Sequence, residues 1–314
     1  MNYKKVLKVL ISIIIFGIVI SFVDFVKLYS NFQLVSWHYY LLIIVGYFLG
    51  QVMSAYKWSL ILKESNINQR FKKILESYFT GMFVNSFALG IVGGDLARSL
   101  LVANKSNKTE SFFTVVADRV HGLAILVFMG AISVIFFDTK LEPKFVGLLV
   151  FIACSILLFW FFGPKIFLKL VKKENKFYHK INATLKAFPH SPKVLVQISI
   201  VSMIFHFVQI SLHYVMGVAL NIEIPLYILF ATIPFVNILT SLPFSWNGLG
   251  VREAGYIFFL SFILTNEQCV LFGAIWLLAV TVNSLLGGVI AILGGSMDIL
   301  RQDSIKTERS ASNI

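Results

Sequence analysis

Charge, cysteine and catalytic motifs are all scarce in this chain. Charged residues make up 13% of its 314 residues, against about 25% in soluble domains, and this shortage excludes a soluble globular protein. The two cysteines lie far apart in sequence, which argues against a disulfide framework or a cysteine metal site. The phosphate loop GxxxxGK(S/T), the zinc motif HExxH and the nucleophile elbow GxSxG are absent. We therefore expect neither an ATPase nor a bound metal or cofactor.

Long apolar stretches dominate instead. Hydrophobic residues make up 58% of the chain, and its mean hydropathy is +0.83. Runs of about 18 or more apolar residues are long enough to cross a ~30 Å hydrocarbon core, and the strand alternation of a membrane barrel is missing. We predict an all-α polytopic membrane helical bundle with six full spans, near residues 6–24, 38–62, 112–137, 146–163, 194–220 and 270–295. The first is interpreted as a retained span because no small-x-small cleavage site follows it.

The formal charge of +12 is concentrated between the predicted spans, where it predicts orientation rather than nucleic-acid binding. Twenty-one of the 27 lysines and arginines fall on the predicted cytoplasmic side, Lys57 among them, and eight of them lie in residues 165–193. We interpret that segment as a basic cytoplasmic connection, either an amphipathic helix on anionic lipid or simply a topology signal. A multi-pass plasma-membrane protein with both termini cytoplasmic is predicted, with one membrane domain over 1–297 and a polar tail over 298–314.

Two further stretches are predicted to be broken helical hairpins that enter the membrane from opposite faces. Residues 75–103 begin and end on the cytoplasmic side, and residues 222–266 begin and end on the outer side. Predicted helix breakers interrupt both of them, Gly93 and Gly94 in the first and Pro234 and Gly248 in the second. The sequence leaves open whether the hairpins are re-entrant or fully spanning. Broken hairpins are typical of transporters with a site near the middle of the membrane.

Three arginines and three acidic residues lie within or beside these membrane segments, and intramembrane charges are functional candidates by default. The first group is Gly93, Gly94, Asp95 and Arg98. The glycines predict a tight turn with free amides, and the Asp95 carboxylate is spaced to hold Arg98 one helical turn later. Alternatively, Asp95 caps a helix and the pair only makes both charges tolerable in the membrane.

The second group is Asp118, Arg119 and His121, near the cytoplasmic end of a predicted span. Asp118 and Arg119 diverge by about 100° around a helix, so we expect them to have different partners. Asp118 and His121 lie on the same helix face. They form either a proton relay or a structural contact in which the hydrogen bonds of His121 are satisfied. Arg119 binds a headgroup in one interpretation and extends towards lipid phosphates in the other.

The third group lies in residues 242–256, LPFSWNGLGVREAGY. Gly248 and Gly250 predict an irregular backbone turn, which is tolerated at membrane depth only where it is buried or lines a wet cavity. Arg252 offers paired donors suited to a phosphate, and Asn247 offers an amide for a headgroup. The alternative is a structural arrangement in which Arg252 and Glu253 brace the two hairpins.

A polar stripe runs along the 194–220 span, where polar residues recur at steps of three and four: Ser199, Ser202, His206, Gln209 and His213. Such a stripe is costly in lipid, so we expect it to face the interior of the bundle. It serves either interhelical hydrogen bonds or a polar cavity lined by His206 and Gln209, together with His121.

Three motifs, GGDLARSLL at 93–101, VVADRVHGL at 115–123 and the stretch at 242–256, occur in the order seen in a flippase-like membrane family. The chain resembles this family, named after the transmembrane region of lysylphosphatidylglycerol synthase and including UPF0104-type membrane proteins, over nearly its whole length. The Gly-Val-Arg-Glu core of the third motif is the most specific part. The second motif departs from the family, which more often has Glu-Arg where this chain has Asp118-Arg119.

The resemblance implies an integral helical bundle that moves a phospholipid or a polyprenyl-phosphate-linked lipid. By analogy, Arg98 and Arg252 hold the headgroup phosphate from opposite sides, Asp95 and Glu253 orient them, and Arg119 lies on the same path. The expected partners are therefore anionic membrane lipids and not nucleic acid, while the oligomeric state stays open.

Two alternative functions follow from the same resemblance. Family members that make aminoacylated lipid carry a soluble transferase domain after the membrane region, and this chain ends soon after its last predicted span. We therefore expect no aminoacyl transfer by this chain alone, with a separate synthase able to supply its substrate. The alternatives to transport are an integral-membrane glycosyl transferase that uses a polyprenyl phosphate donor, and a non-transporting accessory subunit.

Overall fold

The computed structural model describes residues 24–87, 90–104, 106–170, 188–241 and 247–296, together with residues 17, 20, 21, 182 and 300. Within these residues the chain forms ten helices and no strand. In chain order they are α1 (Phe25–Leu34), α2 (Trp37–Glu64), α3 (Phe71–Phe87), α4 (Gly90–Val102), α5 (Lys108–Phe136), α6 (Pro143–Leu170), α7 (Pro192–Ala219), α8 (Leu226–Ser241), α9 (Val251–Leu260) and α10 (Asn266–Leu293).

Four of the helices, α2, α5, α7 and α10, are long and apolar enough to cross a membrane. At 28 or 29 residues each, they extend about 42 Å, which exceeds a ~30 Å hydrocarbon core. They coincide with four predicted spans, and α6 contains a fifth. The prediction of an all-α polytopic membrane protein is confirmed. The predicted span over 6–24, the connection beyond Leu170 and the tail over 298–314 lie almost entirely outside the described residues.

The chain forms two compact units. The first unit comprises Met1–Gly50, His121–Leu170 and Ser202–Val280, and the second comprises Gln51–Val120, Val171–Val201 and Thr281–Ile314. Their boundaries fall inside α2, α5, α7 and α10, so each of these four helices contributes residues to both units.

The first unit is built around an apolar core that includes the packed helices α8 and α9. The rings of Phe235 and Phe259 stack at 4.9 Å between these two helices. Pro234, expected to break the chain, lies inside α8 and is buried. Proline in a helix frees the carbonyl four residues earlier and crowds its surroundings, and Gly130 fits against both the Pro234 ring and the Phe230 carbonyl. The missing side chain at Gly130 therefore lets α8 continue through its proline.

The second unit contains the α3–α4 hairpin. Gly81 and Gly94 bring these two helices into backbone contact, because a Cβ on Gly94 would overlap the Gly81 carbonyl oxygen. The Gly94 amide also donates to the Asn85 side-chain oxygen at 3.0 Å. The predicted turn at Gly93 and Gly94 is thus wrong, since both residues are helical, and the small size of Gly94 serves helix packing rather than a free amide for an anion.

The hairpin helices are short. α3, α4, α8 and α9 have 17, 13, 16 and 10 residues, which corresponds to about 15–26 Å of helix rise. Each falls short of a ~30 Å hydrocarbon core. Residues 88–89 and 242–246, which join the helices of the two hairpins, lie outside the described part of the chain.

An irregular turn precedes α9. Asn247, Gly248 and Gly250 have φ values of 52°, 80° and 80°, in a region that glycine adopts freely and asparagine tolerates. Gly250 then forms the N-cap of α9. The turn therefore positions Arg252 and Glu253 in the first turn of this helix, while residues 242–246 of the same motif lie outside the described residues.

Candidate functional site

Five charged residues of the second unit form one connected group of ion pairs, here called the charge network: Lys57, Asp95, Arg98, Asp118 and Arg119. Asp118 pairs with Lys57 through Oδ1 at 2.9 Å and with Arg98 through Oδ2 at 3.3 Å. Asp95 pairs with Arg98 at 3.4 Å and with Arg119 at 2.5 Å. Helices α2, α4 and α5 each supply part of the network, which contains three cations and two carboxylates.

Arg98 lies at the centre of the charge network and is only 6% exposed. Its guanidinium carbon sits 4.9 Å from the ring centres of both Trp58 and Tyr78, which gives cation–π contacts with two aromatic rings. The Trp58 ring is fixed by a hydrogen bond from its Nε1 to Thr114 at 3.0 Å. Two carboxylates and two rings therefore surround Arg98, and it does not present an open guanidinium to a headgroup.

Arg119 is the accessible end of the charge network. Its Nη2 donates to Asp95 Oδ1 at 2.9 Å and its Nε pairs with Asp95 Oδ2, so the contact has two points. The Arg119 side chain is 42% exposed, whereas that of Asp95 is 11% exposed. Adjacent Asp118 and Arg119 thus have different partners, as their angular separation predicts.

Lys57 is the member of the network that sequence reasoning missed. Its position within the apolar run of α2 was interpreted as a cytoplasmic topology signal, but its side chain is only 6% exposed. The ammonium binds the Asp118 carboxylate and also donates to the Asp118 backbone carbonyl at 3.0 Å. The available signal was a lysine inside a predicted span, which requires an intramembrane partner.

The first unit holds a separate group around Arg252. The Arg252 guanidinium carbon lies 5.7 Å from the Trp276 ring centre and within hydrogen-bonding reach of the Tyr256 hydroxyl. The Tyr256 hydroxyl also contacts His213 Nε2 at 2.8 Å, and His213 Nδ1 contacts the Gln209 carbonyl at 2.9 Å. The His213 ring stacks on Trp276 at 4.4 Å. Because the Gln209 carbonyl only accepts, His213 donates through Nδ1 and accepts from Tyr256.

Glu253 caps the N-terminus of its own helix, α9. Its Oε2 accepts a hydrogen bond from the Gly250 amide at 2.7 Å, so the Glu253 side chain caps the start of α9. Its carboxylate is buried against Gly273, where any side chain would overlap it. Glu253 therefore caps its own helix terminus through Oε2, and its predicted role in orienting Arg252 stays a prediction.

The polar residues of α7 are buried in the first unit from Ser202 onwards. His206 contacts the Gly122 carbonyl through Nε2 at 2.8 Å, and the Gln209 amide lies against Gly50. His121, on α5, is also buried. The described contacts of His206 are those of a structural hydrogen bond, while the predicted roles of His121 in a proton relay and of Gln209 in a cavity stay predictions.

The long apolar helices define a polytopic integral membrane protein. Its membrane segments carry charged residues, namely the ion pairs of the charge network and, separately, Arg252. Residues 5–287 match the family described as the lysylphosphatidylglycerol synthase TM region, and the chain belongs to this family. It is similar to a UPF0104 membrane protein from Pyrococcus horikoshii, with 28% identity over 131 residues. That match covers 40% of this chain and only 39% of the relative. No solved structure matches the chain.

Proposed function

We propose that this protein moves an anionic lipid between the two leaflets of the plasma membrane, with Arg252 binding the phosphate of the headgroup. Family membership supports a role in lipid handling. The predicted partners are phospholipids or polyprenyl-phosphate-linked lipids, with a separate synthase able to supply a modified substrate. The lysine distribution supports cytoplasmic termini for such a transporter.

The observation that carries the proposal is the state of the Arg252 side chain. Among the described residues, Arg252 has no carboxylate in ion-pair distance, in contrast to Arg98 and Arg119. The side chain is half-buried at the first turn of α9. A guanidinium at an apolar segment needs an anion to offset its charge, and its planar fork matches phosphate oxygens.

The side chains in contact with the Arg252 guanidinium are uncharged, and the Glu253 carboxylate acts on it electrostatically from beyond ion-pair distance. Tyr256 and Trp276 fix the guanidinium from two sides, and both are themselves fixed by His213. Each of these three neighbours is uncharged in this arrangement, because His213 carries one proton between an acceptor and the Tyr256 hydroxyl. The positive charge of Arg252 is therefore ordered in advance and available to a ligand, which lowers the entropic cost of binding.

A single arginine also suits a transporter, because the ligand must leave as well as enter. A phosphate bound to one guanidinium has a smaller binding free energy than a phosphate bound to several cations. Because its binding is weaker, it is released faster. The adjacent positive-φ turn at Asn247 and Gly248 supplies polar backbone beside Arg252, since a Cβ on Gly248 would lie 3.2 Å from the Arg252 Nη2 atom.

Lipid movement in reconstituted vesicles tests the proposal. Proteoliposomes contain fluorescent phosphatidylglycerol, and dithionite reduction reports how fast the label crosses the bilayer. We expect Arg252→Gln to slow the protein-dependent rate by at least about tenfold, which corresponds to about 1.4 kcal/mol of lost phosphate interaction. Arg252→Lys retains the positive charge but not the planar pair of guanidinium donors. Its transport rate should therefore lie between those of wild type and Arg252→Gln.

Arg70→Gln is the matched control, because Arg70 is an exposed arginine in the loop before α3. It should leave the rate unchanged. Circular dichroism and thermal melting in detergent establish that the variants are folded. Normal transport by a folded Arg252→Gln protein would overturn the proposal, and so would an equal loss in Arg70→Gln.

A further inference from the structure

Helix α1 of the first unit exposes most of its apolar side chains. None of its ten residues is buried. Its large apolar and aromatic residues that are more than half exposed are Phe25, Val26, Tyr29, Phe32 and Leu34. Contiguous exposed patches of this kind mark interaction sites. Helix α1 therefore presents a surface for an apolar partner.

The exposed residues of α1 are arranged amphipathically. Phe25, Tyr29 and Phe32 recur at steps of four and three, which places them on one side of the helix, here called the apolar face of α1. Lys27 and Ser30 lie on the other side. This pattern is typical of a helix at the boundary between an apolar phase and water.

Contacts with α10 hold α1 in place. The Leu28 side chain packs against buried Val270. The Asp24 amide donates to Glu267 Oε1 at 3.2 Å, and the Asp24 carboxylate caps α1 by accepting from the Val26 amide at 2.9 Å. Helix α1 is therefore fixed to the first unit with its apolar face directed outwards.

The position of α1 in the chain indicates that its partner is lipid. Only Val35 and Ser36 separate α1 from α2, which is long and apolar enough to cross a membrane. Trp37, the first residue of α2, is 74% exposed, and tryptophan is enriched where a spanning helix meets the membrane–water interface. Exposed Leu41 and Leu42 follow one turn later. Helix α1 thus adjoins the interface end of a spanning helix.

Neither a further span nor a second copy of the chain accounts for α1. Ten residues rise about 15 Å, which is half of a ~30 Å hydrocarbon core. Asp24 and Lys27 at its N-terminus, with side chains 45% and 70% exposed, are costly inside hydrocarbon. Stable protein–protein interfaces use about 20–30 residues on each side, which is more than α1 offers.

We propose that α1 is an interfacial helix that lies in the plane of the outer leaflet, with its apolar face inserted at the boundary between headgroups and acyl chains. The distribution of lysines and arginines predicts that residues 25–36 lie outside. Asp24 and Lys27 balance each other in charge, so binding rests on apolar burial and needs no anionic headgroup. This inference is independent of lipid transport and of Arg252.

Cysteine labelling of the full chain in proteoliposomes tests the proposal. The background variant is Cys154→Ala, because Cys269 is buried and stays unreacted. We expect a membrane-impermeant maleimide to react at least about tenfold more slowly with Tyr29→Cys than with Lys27→Cys, since the other residues of the apolar face keep it in lipid. Lys27→Cys is the matched control, on the same helix but on its polar side. The ratio should be equal in vesicles of phosphatidylcholine and in vesicles that also contain phosphatidylglycerol.

A second pair of variants and a lipid-borne quencher complete the test. Phe25→Cys and Ser30→Cys repeat the comparison at other exposed positions, so the result does not depend on one substitution. A fluorophore attached at Tyr29→Cys before reconstitution should be quenched by phosphatidylcholine with a nitroxide near the top of its acyl chain. Equal labelling of the two sides would place α1 in water, and slow labelling of both would place it within the hydrocarbon core. Protection of Tyr29→Cys without quenching would assign the apolar face to a second copy of the chain. Each of these three results overturns the proposal.

Discussion

Replacing Asp118 by asparagine is the sharpest test of the charge network as it is described above. Asp118 is 4% exposed and bonds to both Lys57 and Arg98. Asparagine has nearly the same shape but no charge, so the variant leaves three cations with one carboxylate. The perturbation is therefore electrostatic and creates no cavity.

The magnitude follows from the two contacts. At an effective dielectric constant of ~20, ion pairs of the lengths seen at Asp118 are each worth about 5 kcal/mol of Coulomb energy. The asparagine variant no longer has to bury a carboxylate, which returns several kcal/mol of desolvation penalty. The difference agrees with the ~3–5 kcal/mol that is typical when one member of a buried ion pair is removed. We expect a loss of this size in the free energy of unfolding.

Unfolding by sodium dodecyl sulfate in mixed micelles measures this free energy. Asp138→Asn is the matched control, because Asp138 pairs with Lys140 in a fully exposed position and should show no measurable change. The double variant Lys57→Met, Asp118→Asn removes the lysine that the single variant leaves unpaired. It should recover about 2 kcal/mol, within the range of coupling energies between contacting residues.

A loss below about 1 kcal/mol in Asp118→Asn would refute the reasoning, since exposed ion pairs reach that value. A double variant no more stable than the single one would refute it as well, because the penalty would then not come from an unpaired lysine.

Two further predictions concern helix contact and arginine positioning. Gly94→Ala should destabilise the α3–α4 hairpin by about 2 kcal/mol, because the new Cβ meets the Gly81 backbone carbonyl. Gly147→Ala, in α6 with no atom near the new Cβ, should be neutral or stabilising in the same unfolding assay. Equal effects of the two substitutions would contradict the packing argument. Tyr256→Phe removes the hydroxyl between Arg252 and His213, so the rate of lipid transport should fall about threefold to tenfold through weaker headgroup binding. The effect should be larger at a low density of the transported lipid than at a high density. A uniform loss at all densities would indicate a structural defect instead.

Hydropathy and lysine distribution were sufficient to predict the helical architecture. Apolar runs of span length predicted α2, α5, α7 and α10, because the bilayer leaves few other structures for such runs. The same signals predicted two hairpins and did not resolve how deeply each of them enters the membrane. Gly94 and Pro234 were misinterpreted as breakers because sequence does not reveal the neighbours, Gly81 and Gly130, that make both residues compatible with a helix.

The charged residues of the network were easier to select from the sequence than their ion-pair partners. Intramembrane charge alone selected Asp95, Arg98, Asp118 and Arg119, and the structure joins all four. Their pairing depends on contacts between helices that are far apart in sequence, such as Lys57 with Asp118, so local spacing predicted only the Asp95–Arg98 contact. Glu253 was assigned to the headgroup path because its hydrogen bond to the Gly250 amide depends on a turn geometry that the sequence does not reveal.

The charge network also constrains how the protein is made. Lys57 and Asp118 are separated by 61 residues, which takes about 3–12 s of synthesis at ~5–20 residues per second. During that interval α2 carries a lysine without its carboxylate partner, and a charged side chain on a lone membrane helix is costly. Helix α2 therefore gains its full stability in lipid only after α5 has been made. The nascent chain depends during this delay on whatever shields Lys57, be it the insertion machinery or water at the membrane surface.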